Sequence, residues 1–159
     1  PLWPVQLEYM AAKVRFCDFT AGEVLRPKDG IVVRTTPLNH TNGATGYRIE
    51  YDGRSICYIT DTEHFPDRLN QDIVDLIKET DIFIYDCTYT DDEYPDHVDW
   101  GHSIWQEGVK LAAAADAKTF VVFHHNPDHD DDAMDSIAAL VMAARPGSVV
   151  AREGMTLCP

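Results

Sequence analysis

The chain has 159 residues, 45% of them hydrophobic, which suits one domain, or part of one, with a substantial core. Aspartate and glutamate together number 27 against 13 lysines and arginines, so the formal net charge is −14. Such an acidic chain disfavours a long nucleic acid or an anionic membrane as its partner, and we expect neither.

Cysteine spacing and the search for targeting segments predict the cellular compartment of the protein. The four cysteines form no Cys-x-x-Cys pair, so the sequence indicates neither a zinc knuckle nor a disulfide framework, and a reducing cytoplasm fits best. They are Cys17, Cys57, Cys87 and Cys158. We expect no signal peptide and no transmembrane helix, because there is no charged leader and no long apolar run. The chain starts at Pro1, which indicates methionine removal or a fragment of a longer protein.

The first part of the sequence predicts strands joined by tight turns. The proline-punctuated segment 1–7 resembles a linker packed on a domain. Strands are predicted at 13–19, 23–25, 31–36, 46–51 and 54–60. The last four of these form two hairpins, and the second flanks Asp52-Gly53, a pair that favours the left-handed backbone of a two-residue turn.

The remaining sequence alternates helices with buried strands. Apolar residues recur at helical spacing from Leu69 to Ile77, which predicts an amphipathic helix over 69–79. The further predicted elements are a strand at 82–85 ending at Asp86, a surface loop at 88–101, a helix capped by Ser103 with Gln106 as its capping-box partner, a strand at 119–123, a helix opened by Asp130, Asp131 and Asp132, and a hairpin over 148–157. Hairpins followed by β-α-β-α predict a mixed α/β layered sandwich.

Three strand-like runs end in residue types that bind metals. The runs end at Asn39-His40, at Asp61 and at His124-His125. Ligands of α/β sheets bind outside the carboxyl ends of the strands, so these side chains are predicted to share one edge. The set suits zinc or manganese, and the carboxylate is free to bridge two ions. Taken singly, each residue has an ordinary explanation in a turn or a half-buried loop, and only their joint placement favours a site.

Two further histidines are candidates. His102 stands directly before a predicted helix, where amide groups could hold a phosphate oxygen and the imidazole could protonate a leaving group. An ordinary capping loop is the competing explanation for His102. His129 lies among aspartates, a pattern more typical of a solvated helix start than of a metal site.

Five motifs stand in an order that resembles the metallo-β-lactamase superfamily. They are His40 with a downstream Gly-Tyr, Ile-Thr-Asp-Thr around Asp61, Asp86-Cys87-Thr88-Tyr89, Gly101-His102-Ser103 and Val121-Val122-Phe123-His124. The resemblance is closest to the phosphodiesterase branch, which holds the tRNA 3′-processing ribonucleases and the phosphoribosyl cyclic phosphodiesterases. It implies that residues 1–159 form the C-terminal part of a single four-layer αββα sandwich, with no internal domain boundary.

The resemblance assigns metal ligands position by position. His40 resembles the histidine that completes the first metal site, and Asp61 resembles the bridging carboxylate. His124 resembles the histidine of the second metal, which selects it over His125. In the complete protein, the resemblance implies two divalent ions, zinc or manganese.

The resemblance also implies the catalytic groups, Asp61 and His102. His102 resembles the histidine of a Gly-His-Ser-Thr loop that assists phosphate or leaving-group chemistry, although Ile104 replaces the threonine. Asp86 resembles a carboxylate that orients a metal-bound histidine, the usual function of such a neighbour.

One signature of the family is absent. The His-x-His-x-Asp-His motif, which supplies most ligands of both metals and lies in the N-terminal half of the family's domain, occurs nowhere in this sequence. A lone C-terminal half would leave apolar faces uncovered, which soluble monomers seldom tolerate. We therefore expect an upstream segment of the same protein or an intimate homo-oligomer such as a dimer.

These observations predict a dinuclear phosphodiesterase that acts on a small or cyclic phosphodiester, because the acidic chain favours such a substrate over tRNA. One alternative is a catalytically silent fragment or assembly module without the upstream ligands. Another is a thioesterase or a lactamase-type hydrolase with the same ligands, which His102 disfavours because its position before a helix suits a phosphate.

Overall fold

The computed structural model describes residue 9 and residues 11–159, and the predicted linker at 1–7 lies outside them. A single seven-stranded sheet has its strands in the order of the sequence. The strands are β1 (Val24–Lys28), β2 (Ile31–Leu38), β3 (Ala44–Tyr51), β4 (Arg54–Ile59), β5 (Ile82–Asp86), β6 (Thr119–Phe123) and β7 (Val149–Val150). The α-helices are α1 (Gln71–Ile77), α2 (Trp105–Ala114) and α3 (Asp131–Ala144), and a 3₁₀ helix spans Tyr94–Asp96.

Strand direction brings the carboxyl ends of four strands to one edge of the sheet. Strands β1 to β4 pair antiparallel, whereas β4 to β7 pair parallel. Because β2 and β4 each run opposite to β3, they point the same way as β5 and β6. The carboxyl ends of β2, β4, β5 and β6 therefore meet at one edge, as the sequence predicts.

The two faces of the sheet are covered differently. Alternate strand residues such as Cys57, Phe83 and Val122 join side chains of the three helices in one buried core. The intervening residues, among them Ile84 and Phe123, face a shallow apolar cavity that the C-terminal tail borders with Met155 and Leu157. Helices on one face of a mixed sheet confirm the predicted α/β class.

Most of the predicted elements are confirmed. Both hairpins form, and Asp52 and Gly53 adopt the positive φ angles of 48° and 73° that their turn requires. Helix α1 is shorter than predicted and begins after Asn70, whose side chain accepts the N–H groups of Asp72 and Ile73. None of the helices in the described part of the chain has the length and apolar character needed to cross a bilayer.

Three local predictions are wrong. Segment 13–19 forms no strand, because its exposed residues pair with no neighbouring strand. The residue before α2 is Ile104, and no side chain caps this helix, since the Ser103 hydroxyl is bonded to Tyr85 and His64 instead. The C-terminal hairpin does not form, because β7 pairs parallel with β6 and no strand returns after the turn that follows it.

Candidate functional site

The structure brings the four predicted site residues together at the carboxyl edge of the sheet. His40 follows β2, Asp61 follows β4, His124 follows β6 and His102 precedes α2. Ligand atoms of His40, Asp61 and His102 lie within 4.8 Å of one another. A second group, Asp86, His102 and His124, meets the same distance limit. The two groups share His102, so they form one continuous cluster.

Asp86, the last residue of β5, organises this cluster from below. Its side chain has no exposed surface. Oδ2 accepts the backbone N–H of Asp61 at 2.9 Å and faces Nδ1 of His102 at 3.0 Å. Oδ1 accepts the Thr88 hydroxyl at 2.8 Å and the backbone N–H of Ser103 at 3.2 Å. One buried carboxylate therefore ties together the loop after β4, which carries Asp61, and the loop after β5, which carries His102.

His102 is held as a proton donor. Its Nδ1 donates to the Asp86 carboxylate, so Nε2 is the nitrogen left for another partner. The hydrogen bond with Asp86 raises the pKa of His102, although partial burial opposes this change. The imidazole ring stacks on that of His124, with a centroid distance of 5.0 Å. A protonated His102 therefore carries a transferable proton within the cluster.

The hydrogen bonds of His124 suit a metal ligand. The Thr88 hydroxyl lies 2.8 Å from both the Asp86 carboxylate and the carbonyl oxygen of His124, so its hydrogen is directed to one of these acceptors. The Thr88 oxygen then accepts Nδ1–H of His124 at 3.0 Å. This tautomer leaves the lone pair on Nε2, which lies 3.7 Å from Asp61 Oδ1.

Backbone geometry also shapes the site. Asp61 and His124 have positive φ angles of 59° and 60°, a conformation that non-glycine residues adopt rarely and often at functional sites. At Gly101, a Cβ atom would lie 2.4 Å from Cδ2 of His40. Glycine is therefore the only residue at position 101 that leaves room for the His40 imidazole.

The donor set fits divalent metals. His40 and Asp61 lie beside His102 in one group, and His124 and Asp86 lie beside it in the other. Imidazole nitrogens with carboxylate oxygens suit zinc or manganese. His102 and His124 form hydrogen bonds with Asp86 and Thr88, the kind of neighbours that metal-binding histidines usually have.

Glu63 is a buried site residue that the sequence analysis missed. Its Oε1 accepts the Tyr94 hydroxyl at 2.6 Å and the Asp99 N–H at 2.9 Å, and Oε2 accepts the Gly101 N–H at 3.1 Å. Burial and this contact with Glu63 raise the pKa of Tyr94. Glu63 therefore fixes the loop that carries Gly101 against the end of β4. Its place two residues after Asp61 is the only signal in the sequence.

The two remaining candidate histidines have other partners. Nε2 of His125 lies 3.0 Å from the carbonyl oxygen of Ala151, and Nε2 of His129 lies 2.7 Å from Glu93 Oε1. Neither histidine belongs to the two groups of ligand atoms found among the described residues. The choice of His124 over His125 as a metal ligand stays a prediction.

Residues 3–125 match the sequence model of the beta-lactamase superfamily domain. The chain belongs to this superfamily. Ribonuclease Z of Saccharolobus solfataricus is 27% identical over 110 residues, which are 69% of this chain and 30% of that protein. Ribonuclease Z of Kineococcus radiotolerans is 27% identical over 96 residues, or 60% of this chain and 28% of that protein. The chain thus spans less than a third of these relatives.

Solved structures share the fold. The metallo-β-lactamase fold protein YhfI from Bacillus subtilis has a TM-score of 0.69 at 17% identity, covering 87% of this chain and 54% of its own. A diphosphatase of the PhnP family gives 0.68 at 20%, covering 95% and 51%. Human tRNase Z, short form, gives 0.63 at 20%, covering 85% and 46%. The predicted metallo-β-lactamase resemblance is confirmed, and the chain matches about half of each of these domains.

Proposed function

We propose that this chain is the C-terminal half of a dinuclear metal phosphodiesterase that acts on a small or cyclic phosphodiester. The observation that carries this proposal is the continuous cluster of His40, Asp61, His102 and His124 around buried Asp86. The names of the relatives, ribonuclease Z, support phosphodiester chemistry. The remaining ligands would come from a His-x-His-x-Asp-His motif outside these 159 residues.

His40 and His124 would each hold one of two zinc or manganese ions, and Asp61 would bridge them. When bound, the ions would supply Lewis-acid charge to the phosphate oxygens. The hydrogen bond from the Asp61 backbone N–H to Asp86 and the Thr88 contact of His124 hold these two residues in position before a substrate arrives.

His102 would supply the proton. Asp86 fixes its Nδ1, and the protonated Nε2 would donate to a phosphate oxygen or to the departing oxygen. The hydrogen bond to Asp86 raises the pKa of His102 and so favours the protonated form that would donate. Because Asp86 also accepts the backbone N–H of Asp61, the proton donor and the bridging carboxylate keep a fixed spacing.

Charge supports a small substrate. A net charge of −14 would repel an RNA backbone unless another part of the protein supplied basic surface. RNA cleavage remains a second candidate function because the relatives are named ribonuclease Z. Comparing cleavage of a cyclic nucleotide with cleavage of a tRNA precursor distinguishes the two.

The exposed apolar face of the sheet supports the proposal that the other half of the domain lies outside these 159 residues. Tyr51 and Tyr58 are 61% and 39% exposed, and Ile84 and Phe123 border an open cavity on the face away from the helices. Monomeric proteins seldom expose such a face. We propose that a second sheet, from an upstream segment or from a second copy of the protein, covers it.

Intact mass and metal analysis of the purified protein test the missing half first. A longer chain, or a second polypeptide, that carries the His-x-His-x-Asp-His motif with about two metals per molecule supports the enzyme. A single 17.9 kDa chain without metal would instead favour a silent fragment or assembly module.

Two variants of the complete protein then test the assigned roles. Asp61→Ala should lose metal and activity together. His102→Ala should keep its metal and lose turnover. Asp75→Ala, on the exposed side of α1, is the control and should change neither property. Normal turnover by metal-loaded His102→Ala would remove the proposed role of His102, and loss of metal would make His102 a ligand.

A further inference from the structure

A cleft of about 380 Å³ opens directly beside His40. Its walls come from the loop after β2, the segment that leads from β4 to α1, and the loop that leads toward α2. The side chains that matter most are His40, His64, Phe65, Tyr94 and Val98. This volume lies within the usual range for small-molecule sites, about 300–1,000 Å³.

The cleft is separate from the uncovered sheet face. His64 on its wall is bonded to Ser103, whose hydroxyl oxygen accepts a hydrogen bond from Tyr85. Tyr85 belongs to the core that the helices cover, whereas residues such as Ile84 face the opposite side. The cleft therefore does not lie on the face that a second sheet would cover.

The walls carry no permanent positive charge. None of the described residues that line the cleft is a lysine or an arginine. Tyr85 donates to the Ser103 oxygen, and Nδ1 of His64 lies 2.9 Å from the same oxygen. Burial lowers the pKa of His64, which agrees with a neutral imidazole. The Arg68 guanidinium lies on the Phe65 ring but is not among the lining residues, so the lining itself offers a second phosphate group no lysine or arginine.

The carboxylates of the cleft also disfavour an anion. Both oxygens of Glu63 already accept hydrogen bonds from the loop at Tyr94 to Gly101. Asp99 adds an exposed carboxylate to the lining. What remains for a ligand is the surface of Phe65, Tyr94 and Val98, which suits an uncharged ring.

Two of the aromatic walls are fixed in place. The Tyr94 ring lies 4.3 Å from the His64 ring, centroid to centroid, and its hydroxyl is bonded to Glu63. The guanidinium carbon of Arg68 lies 4.3 Å from the centroid of the Phe65 ring. Walls held this way lose little conformational freedom when a ligand binds, which favours affinity.

We propose that this cleft is a specificity subsite that takes an uncharged aromatic group of the substrate, such as a nucleobase or an aryl ester, while the phosphate lies among the histidines. This inference rests on the proposed phosphodiesterase function. It names the part of a small phosphodiester that the enzyme would recognise. The adjacent position of His40, which borders both the cleft and the metal cluster, connects the two subsites.

Calorimetric binding of two phosphonates to the zinc-loaded complete protein tests the subsite. Phenylphosphonate and methylphosphonate have the same anionic head and differ only in the ring. We expect the phenyl compound to bind the wild-type protein about tenfold more tightly or better, the discrimination typical of an apolar pocket. Phe65→Ala should remove most of this preference while leaving methylphosphonate binding unchanged.

A second cleft variant and a control variant distinguish the loss of the subsite from misfolding of the protein. Val98→Trp, at a half-exposed position of the lining, should fill the cleft and weaken only the phenyl compound. Trp100→Ala changes an exposed aromatic residue of the same loop that does not line the cleft, and it should keep the wild-type preference. Equal affinities in the wild type, or an unchanged ratio in both cleft variants, would overturn the subsite alone. If neither phosphonate binds and no phosphodiester is cleaved, the proposed function fails with it.

Discussion

Replacing Asp86 by asparagine should damage both the fold and the site, although the two side chains have nearly the same shape. The change turns one carboxylate oxygen into an NH₂ group. Oδ2 serves the N–H of Asp61 and Nδ1–H of His102, and Oδ1 serves Thr88 and the N–H of Ser103. Either orientation of the amide therefore points NH₂ at two or more hydrogen-bond donors.

The size of the effect follows from these contacts. A buried donor that loses its acceptor costs about 1–3 kcal/mol, and a hydrogen bond to a charged group contributes about 1.5–3 kcal/mol. With two donors displaced and the charge of Asp86 removed, we expect a loss of about 3–5 kcal/mol, the range for breaking a buried charged network. This is a large part of a total stability of about 5–15 kcal/mol.

Urea unfolding of the complete protein, followed by circular dichroism, measures this loss. Asp75→Asn is the matched control, because Asp75 is exposed on α1 and accepts one hydrogen bond, from Gln71. It should change stability by no more than about 0.5 kcal/mol. A loss below about 1 kcal/mol for Asp86→Asn, with unchanged metal content, would refute the claim that Asp86 organises the site.

Three further predictions follow from other individual contacts in the structure. Gly101→Ala should weaken metal binding at least about tenfold, because its Cβ would collide with His40. Gly53→Ala is the control, since it has the same positive φ angle without a collision, and it should keep the metal. Equal metal affinities of the two variants, measured by dialysis, would contradict this prediction. The rate of phosphodiester hydrolysis should fall as pH rises through the raised pKa of His102, since the protonated form donates, and Asp86→Asn should move that fall to lower pH. Asp81→Asn should cost about 1–2 kcal/mol in urea unfolding at pH 7, because hydrogen bonds led by that from Lys118 lower the pKa of Asp81 to about 2. A carboxylate whose pKa is lower in the folded state than in the unfolded state, here 3.8, stabilises the fold at pH values above 3.8. The stability difference between Asp81→Asn and wild type should therefore disappear as the pH falls from about 4 to about 2. A difference that stays constant over this range would argue against the ion pair.

The sequence determined the strands and the location of the site. Apolar runs and turn residues such as Asp52-Gly53 act locally, so both hairpins and the buried strands could be predicted from neighbouring residues alone. His40, Asp61 and His124 each follow a strand, and strand direction brought them to one edge. Alternation failed at 13–19, because a strand also needs a neighbour with which to pair.

Only the tertiary structure decided how the site is held together. Asp86 accepts hydrogen bonds from residues 16 to 25 positions away, and Glu63 binds a loop more than 30 positions later. The sequence likewise suggested Ser103 as a helix cap, whereas Tyr85 and His64 occupy its hydroxyl. Such partners depend on which loops meet at the sheet edge. Periodicity and spacing record the conformation of a segment, but a buried hydrogen bond between distant segments exists only once the chain has packed.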